Sequence, residues 1–152
     1  MSYNEADILL VEDNPNDAEL TLRALKSKLV GNKIAHAKDG AVALEMIFGT
    51  NDHDGPIAGS SIKVILLDLK LPKVSGLEVL EQIKSDVRTK SIPVVVLTSS
   101  REDSDLKKSY ELGANSYIVK PVDFESFVSA VVELGLYWIL RNQLSPYVSI
   151  KA

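Results

Sequence analysis

The sequence has 152 residues, 45% of them hydrophobic, with 17 basic against 21 acidic side chains and a net charge of −4. That length can bury about two thirds of the unfolded surface in one core without a staple, and the lack of cysteine excludes disulfides, thiol nucleophiles and cysteine-bound zinc. No apolar run nears the roughly 18 residues that span a bilayer, the acidic start Met1-Ser2-Tyr3-Asn4-Glu5-Ala6-Asp7 is no leader, and no basic block tracks nucleic acid.

The expectation is a cytoplasmic single domain over residues 1–152, with its core over residues 6–140 and a tail at 141–152, that enters no membrane and binds no nucleic acid on its own. Ile8-Leu9-Leu10-Val11 reads as a strand covered on both faces. Asn14-Pro15 reads as helix cap and first-turn proline, followed by one apolar face through Ala18, Leu22, Leu25 and Leu29. Lys33 to Ala37 is a weaker strand, and Asp39-Gly40 opens a second helix through Leu44, Ile47 and Phe48. Residues 49–61 have loop composition. Val64-Ile65-Leu66-Leu67 is a third strand, and Gly76, Val79, Leu80, Ile83 and Val87 mark a third helix. Pro93 to Leu97 is a fourth strand with proline at its start. A fourth helix from Ser100-Arg101-Glu102-Asp103 to Gly113 carries a thin stripe through Leu106 and Tyr110. Ser116-Tyr117-Ile118-Val119 is the fifth strand, and Asp123 caps a last helix reaching about Leu140. Five strands each followed by a helix predict an α/β fold, a doubly wound parallel sheet with helices on both faces.

Ligands of such sheets bind beyond the carboxyl ends of the strands, so the residues just after each strand carry the functional reading. They are Glu12 and Asp13, Asp68, Thr98 and Lys120. Clustered carboxylates raise each other's pKa unless a cation compensates. Oxygen donors with room for water suit Mg2+, and a carboxylate can itself attack phosphorus to give an acyl phosphate. Asp68 interrupts an almost wholly apolar run, where an unpaired charge is costly; its bland alternative is a strand-end aspartate that caps a loop. Glu12 and Asp13 could merely serve the following helix dipole, but Asn14 already fills the cap. Thr98 and Lys120 are ordinary singly, although Pro121 fixes the backbone after Lys120. His36 and His53 lack a companion at ligand spacing and read as structural or exposed.

Across about residues 6–140 the sequence resembles the response regulator receiver domain. Leu10-Val11-Glu12-Asp13-Asn14 is similar to its acidic pair, and Leu67-Asp68-Leu69-Lys70-Leu71-Pro72 with Ser75-Gly76 to its phosphoacceptor segment. Leu97-Thr98-Ser99 and Gly113 to Pro121 resemble its last two signatures. The resemblance implies a flavodoxin-like (βα)5 fold with strand order 2-1-3-4-5. It also implies a protein that is not an enzyme but a signalling phosphoacceptor, with Asp68 taking phosphate from a sensor histidine kinase. Asp13, Asp68 and the Lys70 carbonyl would hold Mg2+, Glu12 would act on the metal through water, Lys120 and Thr98 would bind phosphoryl oxygens, and Tyr117 would be an aromatic switch. Lys70 departs from the methionine common there. The long loop at 49–61 is similar to that of single-domain regulators that work with bacterial phytochrome-type kinases.

Two other readings compete. A haloacid-dehalogenase-type phosphohydrolase needs an acid two positions after its nucleophile, where this chain has Lys70. A phosphorylation-independent interaction module of the same fold usually lacks one of the five residues retained here. The last helix carries two apolar stripes: Phe124, Phe127, Val128, Val131 and Trp138 to dock on the sheet, and Val132, Leu136 and Ile139 about a third of a turn away. A surface helix needs only one. The second predicts a homodimer, favoured by Gly135 beside it, over burial beneath the chain's own tail.

Overall fold

A computed structural model describes residues 6–28, 32–49 and 62–120, together with Glu125, Ser126, Ser129 and Glu133, which are helical and exposed. In chain order the elements are β1 (Ile8–Val11), α1 (Pro15–Lys28), β2 (Ile34–Ala37), α2 (Gly40–Phe48), β3 (Val64–Leu67), α3 (Gly76–Ser85), β4 (Val94–Thr98), α4 (Asp103–Glu111) and β5 (Ser116–Val119). The strands form one parallel sheet in the order β2-β1-β3-β4-β5.

Continuous apolar strands become two cores because successive side chains leave a strand on opposite faces. Ile8, Leu10, Val64, Leu66, Val95 and Leu97 pack against Ala18 and Leu25 of α1. Leu9, Val11, Ile65, Leu67, Val94 and Val96 face the other way, against Ala43, Met46 and Ile47 of α2 and Val79, Leu80 and Ile83 of α3. The helix starts follow their caps: the Asn14 side-chain oxygen accepts from the N–H groups of Asn16 and Asp17 at 2.9 and 3.0 Å, and Asp39 accepts from Val42 N–H at 2.8 Å.

Two helices depart from their sequence patterns. Val87, expected on the apolar face of the third helix, is 78% exposed. The helix stops at Ser85 because Asp86 turns extended, where its carboxylate takes the backbone N–H and the guanidinium of Arg88. The fourth helix starts at Asp103 rather than Ser100 and stops before Gly113. Its expected stripe faces outward, with Leu106 and Tyr110 39% and 49% exposed, and Ser109 is the residue it buries. The apolar contact passes instead to Leu112 and Ala114 just beyond the helix. The Phe124-to-Trp138 stripe, the Val132, Leu136 and Ile139 stripe, Gly135, the tail and the 50–61 loop lie outside the described residues.

Lys84 joins α3 to the starts of β4 and β5. Its ammonium donates to the carbonyls of Lys90 (3.1 Å) and Ile92 (2.8 Å) and to Asn115 Oδ1 (3.0 Å), and Asn115 Oδ1 also accepts from Val94 N–H at 2.9 Å. All three acceptors are neutral oxygens, so burial pushes this amine down to about 8. A group whose folded-state pKa lies below its unfolded value of 10.5 sheds its proton first in the folded state, so it makes stability rise with pH across that window. Lys84→Met removes three donated hydrogen bonds and should lower the unfolding free energy by about 1–2 kcal/mol at pH 7. The deficit relative to wild type should grow from pH 8 to 10.5 in urea titrations; a deficit independent of pH would show that the amine is not desolvated as described.

Candidate functional site

In open parallel sheets ligands bind where the strand order reverses, here between β1 and β3. Their register pairs Val11 with Leu67, which sets the next residues, Glu12 and Asp68, side by side. Asp68 N–H donates to the Val11 carbonyl at 3.0 Å and Glu12 N–H to that of Ala37 at 3.1 Å. His36 in the edge strand adds its Nε2 at 2.9 Å from the Glu12 carbonyl, a structural place for an exposed histidine. Asp13 is exposed at the start of the turn into α1. Glu12, Asp13 and Asp68 each present a carboxylate oxygen within 4.8 Å of the others. This all-oxygen set, one member exposed and two buried, fits a hard divalent cation that keeps part of its water.

The segment after β3 is shaped to let α3 begin close by. A Cβ on Gly76 would run into the Asp68 carbonyl oxygen and stand 2.5 Å from Leu69 Cα, so glycine is required by close approach. Gly76 N–H donates to the Leu69 carbonyl at 2.8 Å, and Val74 N–H to that of Pro72 at 2.8 Å. The tight turn holds Lys73 at φ 68, a left-handed conformation that a side chain disfavours. Its ammonium lies 3.6 Å from Asp39 Oδ2 at the cap of α2. Lys70 is exposed, with its N–H donating to Asp68 Oδ1 at 3.4 Å.

Lys120 follows β5 directly, and its N–H donates to the Thr98 carbonyl at 2.8 Å. The side chain, 10% exposed, reaches across the sheet edge to three carboxylates: Glu12 Oε1 at 2.6 Å, Asp17 Oδ2 at 2.8 Å and Asp68 Oδ2 at 3.1 Å. Burial alone would lower its pKa. The hydrogen bonds to Asp17 and Glu12 and the field of Asp68 outweigh that, and hold the ammonium well above its usual range. Glu12 shows the opposite balance. Burial first, and the nearby Asp68 second, overcome the pull of Lys120 and push its carboxyl up to about 7, which is chiefly the response of a desolvated acid.

Glu12, Asp13, Asp68 and Lys120 thus form one constellation, with Lys70 at its rim. Thr98 is buried and joined to it through the Lys120 backbone, while its hydroxyl accepts from Ser100 N–H at 3.3 Å. Tyr117 stands apart: it packs against the α2–α3 core and its hydroxyl donates to the Ser100 carbonyl at 3.1 Å. Burial, followed by the carboxylates of Asp105, Glu102 and Asp68 and opposed by that hydrogen bond, raises the phenol above its usual range. Asp17, which the sequence reading missed, is a full member of the lysine's shell. Its spacing offered no sign, since an acid in a first helical turn ordinarily serves the helix dipole.

One ammonium among four carboxylates leaves the site short of positive charge. Asp68 gains from Lys120 but is repelled by Glu12 and Asp13 at comparable distances, and charges about 4 Å apart interact by about 4 kcal/mol at an effective dielectric of 20. In metal-free buffer Asp68→Asn should raise thermal stability by the equivalent of about 1 kcal/mol, and added divalent cation should stabilise wild type more than the variant. Equal melting of the two proteins in chelator would show that the carboxylates do not strain the site.

The family model for the response regulator receiver domain matches residues 8–132. The probable methanogenesis regulatory protein FilR2 of Methanothrix harundinacea is 44% identical over 137 residues, covering 90% of this chain and 85% of its own. Response regulator Rcp1 of Synechocystis is 35% identical, over 87% of this chain and 88% of its own. The crystal structure of its Mn2+-bound form superposes with a TM-score of 0.76, covering 87% of this chain and 93% of that one. The phosphorylated cyanobacterial phytochrome response regulator RcpA is 37% identical with a TM-score of 0.79, over 87% of this chain and 92% of its own. The two-face core, the 2-1-3-4-5 sheet and the acidic edge crossed by a lysine agree with that match: the chain belongs to the response regulator receiver domain family.

Proposed function

We propose that the chain is a stand-alone response regulator of a two-component phosphorelay, a cytoplasmic signalling phosphoacceptor that takes a phosphoryl group from a sensor histidine kinase on Asp68. The observation that carries this reading is the Asp68 carboxylate itself, nearly buried, 3.1 Å from the Lys120 ammonium and within 4.8 Å of two more acids. In the transfer an Asp68 oxygen bonds to phosphorus as the bond from phosphorus to the kinase imidazole nitrogen breaks, and the nitrogen keeps the electron pair. Lys120 and the Thr98 hydroxyl would take the phosphoryl oxygens, in a reaction governed by positioning and charge. Asp13, Asp68 and the Lys70 carbonyl would hold Mg2+, with Glu12 acting through water. When bound, the ion supplies the positive charge that lets an anionic donor approach this acidic edge.

The likeness to Rcp1 and RcpA over most of their lengths supports a partner of the phytochrome-kinase type. Among the described residues no helix is long and apolar enough to cross a membrane, and nucleic acid has no part in this reading. The second stripe, Val132, Leu136 and Ile139, supports a homodimer through the last helix. Charged residues at Leu136 and Ile139 should then shift the sedimenting particle from dimer to monomer and leave phosphorylation intact. A wild type that sediments as a monomer at high micromolar concentration would give the stripe to the tail.

The primary test is intact-protein mass after mixing with Mg2+ and a small acyl phosphate. Wild type should gain one phosphoryl group, and Asp68→Asn, Asp13→Asn and wild type in chelator should gain none. Undiminished labelling of Asp68→Asn would sink the assignment.

A further inference from the structure

An ammonium has three N–H groups to give, and those of Lys120 are all committed, to Glu12, Asp17 and Asp68. An oxygen added to Asp68 can take one of them only if an acceptor lets go. Glu12 is the wrong one to release: its side chain is 2% exposed, and a buried carboxylate stripped of its cation is left uncompensated. Asp17 is 33% exposed and sits in the first turn of α1, where water can replace the lost partner at small cost. Serving the helix dipole would leave this side chain near its own N-terminus, yet its Oδ2 lies 2.8 Å from an ammonium 103 residues away.

We propose that Asp17 is a positioning residue that holds the third N–H of Lys120 in the unphosphorylated protein and yields it to the phosphoryl group, so that it slows phosphorylation without affecting phosphoryl loss. The inference rests on the reading of Asp68 as phosphoacceptor. An interaction present in the ground state and absent in the transition state raises the barrier by its own strength. Once the phosphoryl is in place Asp17 has already let go, so removing it leaves the separate step of hydrolysis by water as it was.

The test compares wild type, Asp17→Asn, Asp17→Glu and Glu19→Gln, each with Mg2+ and a small acyl phosphate, following mass gain and then loss after donor removal. Asp17→Asn should be phosphorylated roughly two- to fivefold faster, the size expected for an exposed ion pair. It should lose phosphate at the wild-type rate, and bind the phosphoryl mimic beryllofluoride tighter by a similar factor. Asp17→Glu, which keeps the charge, should return toward wild type. Glu19→Gln removes the same charge from the same helix, at a carboxylate paired with Arg23 at 2.6 Å, and should change nothing. The inference fails if Asp17→Asn is no faster than wild type, if gain and loss change together, or if Glu19→Gln matches it. A wild type that takes no phosphoryl group, or labelling that survives Asp68→Asn, would instead overturn the reading of Asp68 and the inference with it.

Discussion

The structure turns on one ammonium held among carboxylates. Lys120 gathers Glu12 from the end of β1, Asp17 from α1 and Asp68 from the end of β3, so a single side chain from the last strand ties together the chemistry of the first and third. Buried acids at these distances repel, and burial, aided by Asp68, raises Glu12 to about 7 despite its bond to the lysine. One ammonium among four carboxylates leaves an edge whose oxygen donors fit a divalent cation.

The sheet supplies the placement. Parallel pairing of β1 with β3 in the Val11–Leu67 register puts Glu12 and Asp68 at one level, and Thr98 paired with Val119 brings Lys120 in just beyond. A slip of one residue would turn these side chains to the opposite face, so the two apolar cores that hold the register also hold the site. The segment after Asp68 is restrained as strictly, by Gly76 against the Asp68 backbone and by Gly40, where a Cβ would meet the Val74 carbonyl.

What was legible in the sequence was what repeats or stands out against its surroundings. Apolar strands and capped helices pointed to a doubly wound parallel sheet, and the polar residues at the strand ends to Glu12, Asp68 and Lys120, because burial and polarity leave a period in the chain; the strand order came only with the family resemblance. Asp17 left none: only the folded contact with Lys120 separates it from any acid in a first turn. Lys73 was equally silent, since a lysine advertises no left-handed turn. Val87 and the Leu106–Tyr110 stripe misled for the converse reason. They have helical spacing, but a local Asp86–Arg88 pairing ends one helix early, and the other buries Ser109 rather than that stripe.

That outward stripe bears on how the site can speak to the rest of the protein. Ser100 is the junction: its N–H donates to Thr98 Oγ1, its hydroxyl to Asp105 in the first turn of α4 at 2.5 Å, and its carbonyl accepts from the Tyr117 hydroxyl. A Thr98 hydroxyl that turns toward an oxygen on Asp68 must loosen its hold on Ser100, and with it the tether of α4 and the anchor of Tyr117. The resisting forces are small. Glu102, at the cap of α4, makes no side-chain capping bond, and the helix leaves Leu106 and Tyr110 largely outside the core. An element held by few buried contacts has a low cost of displacement.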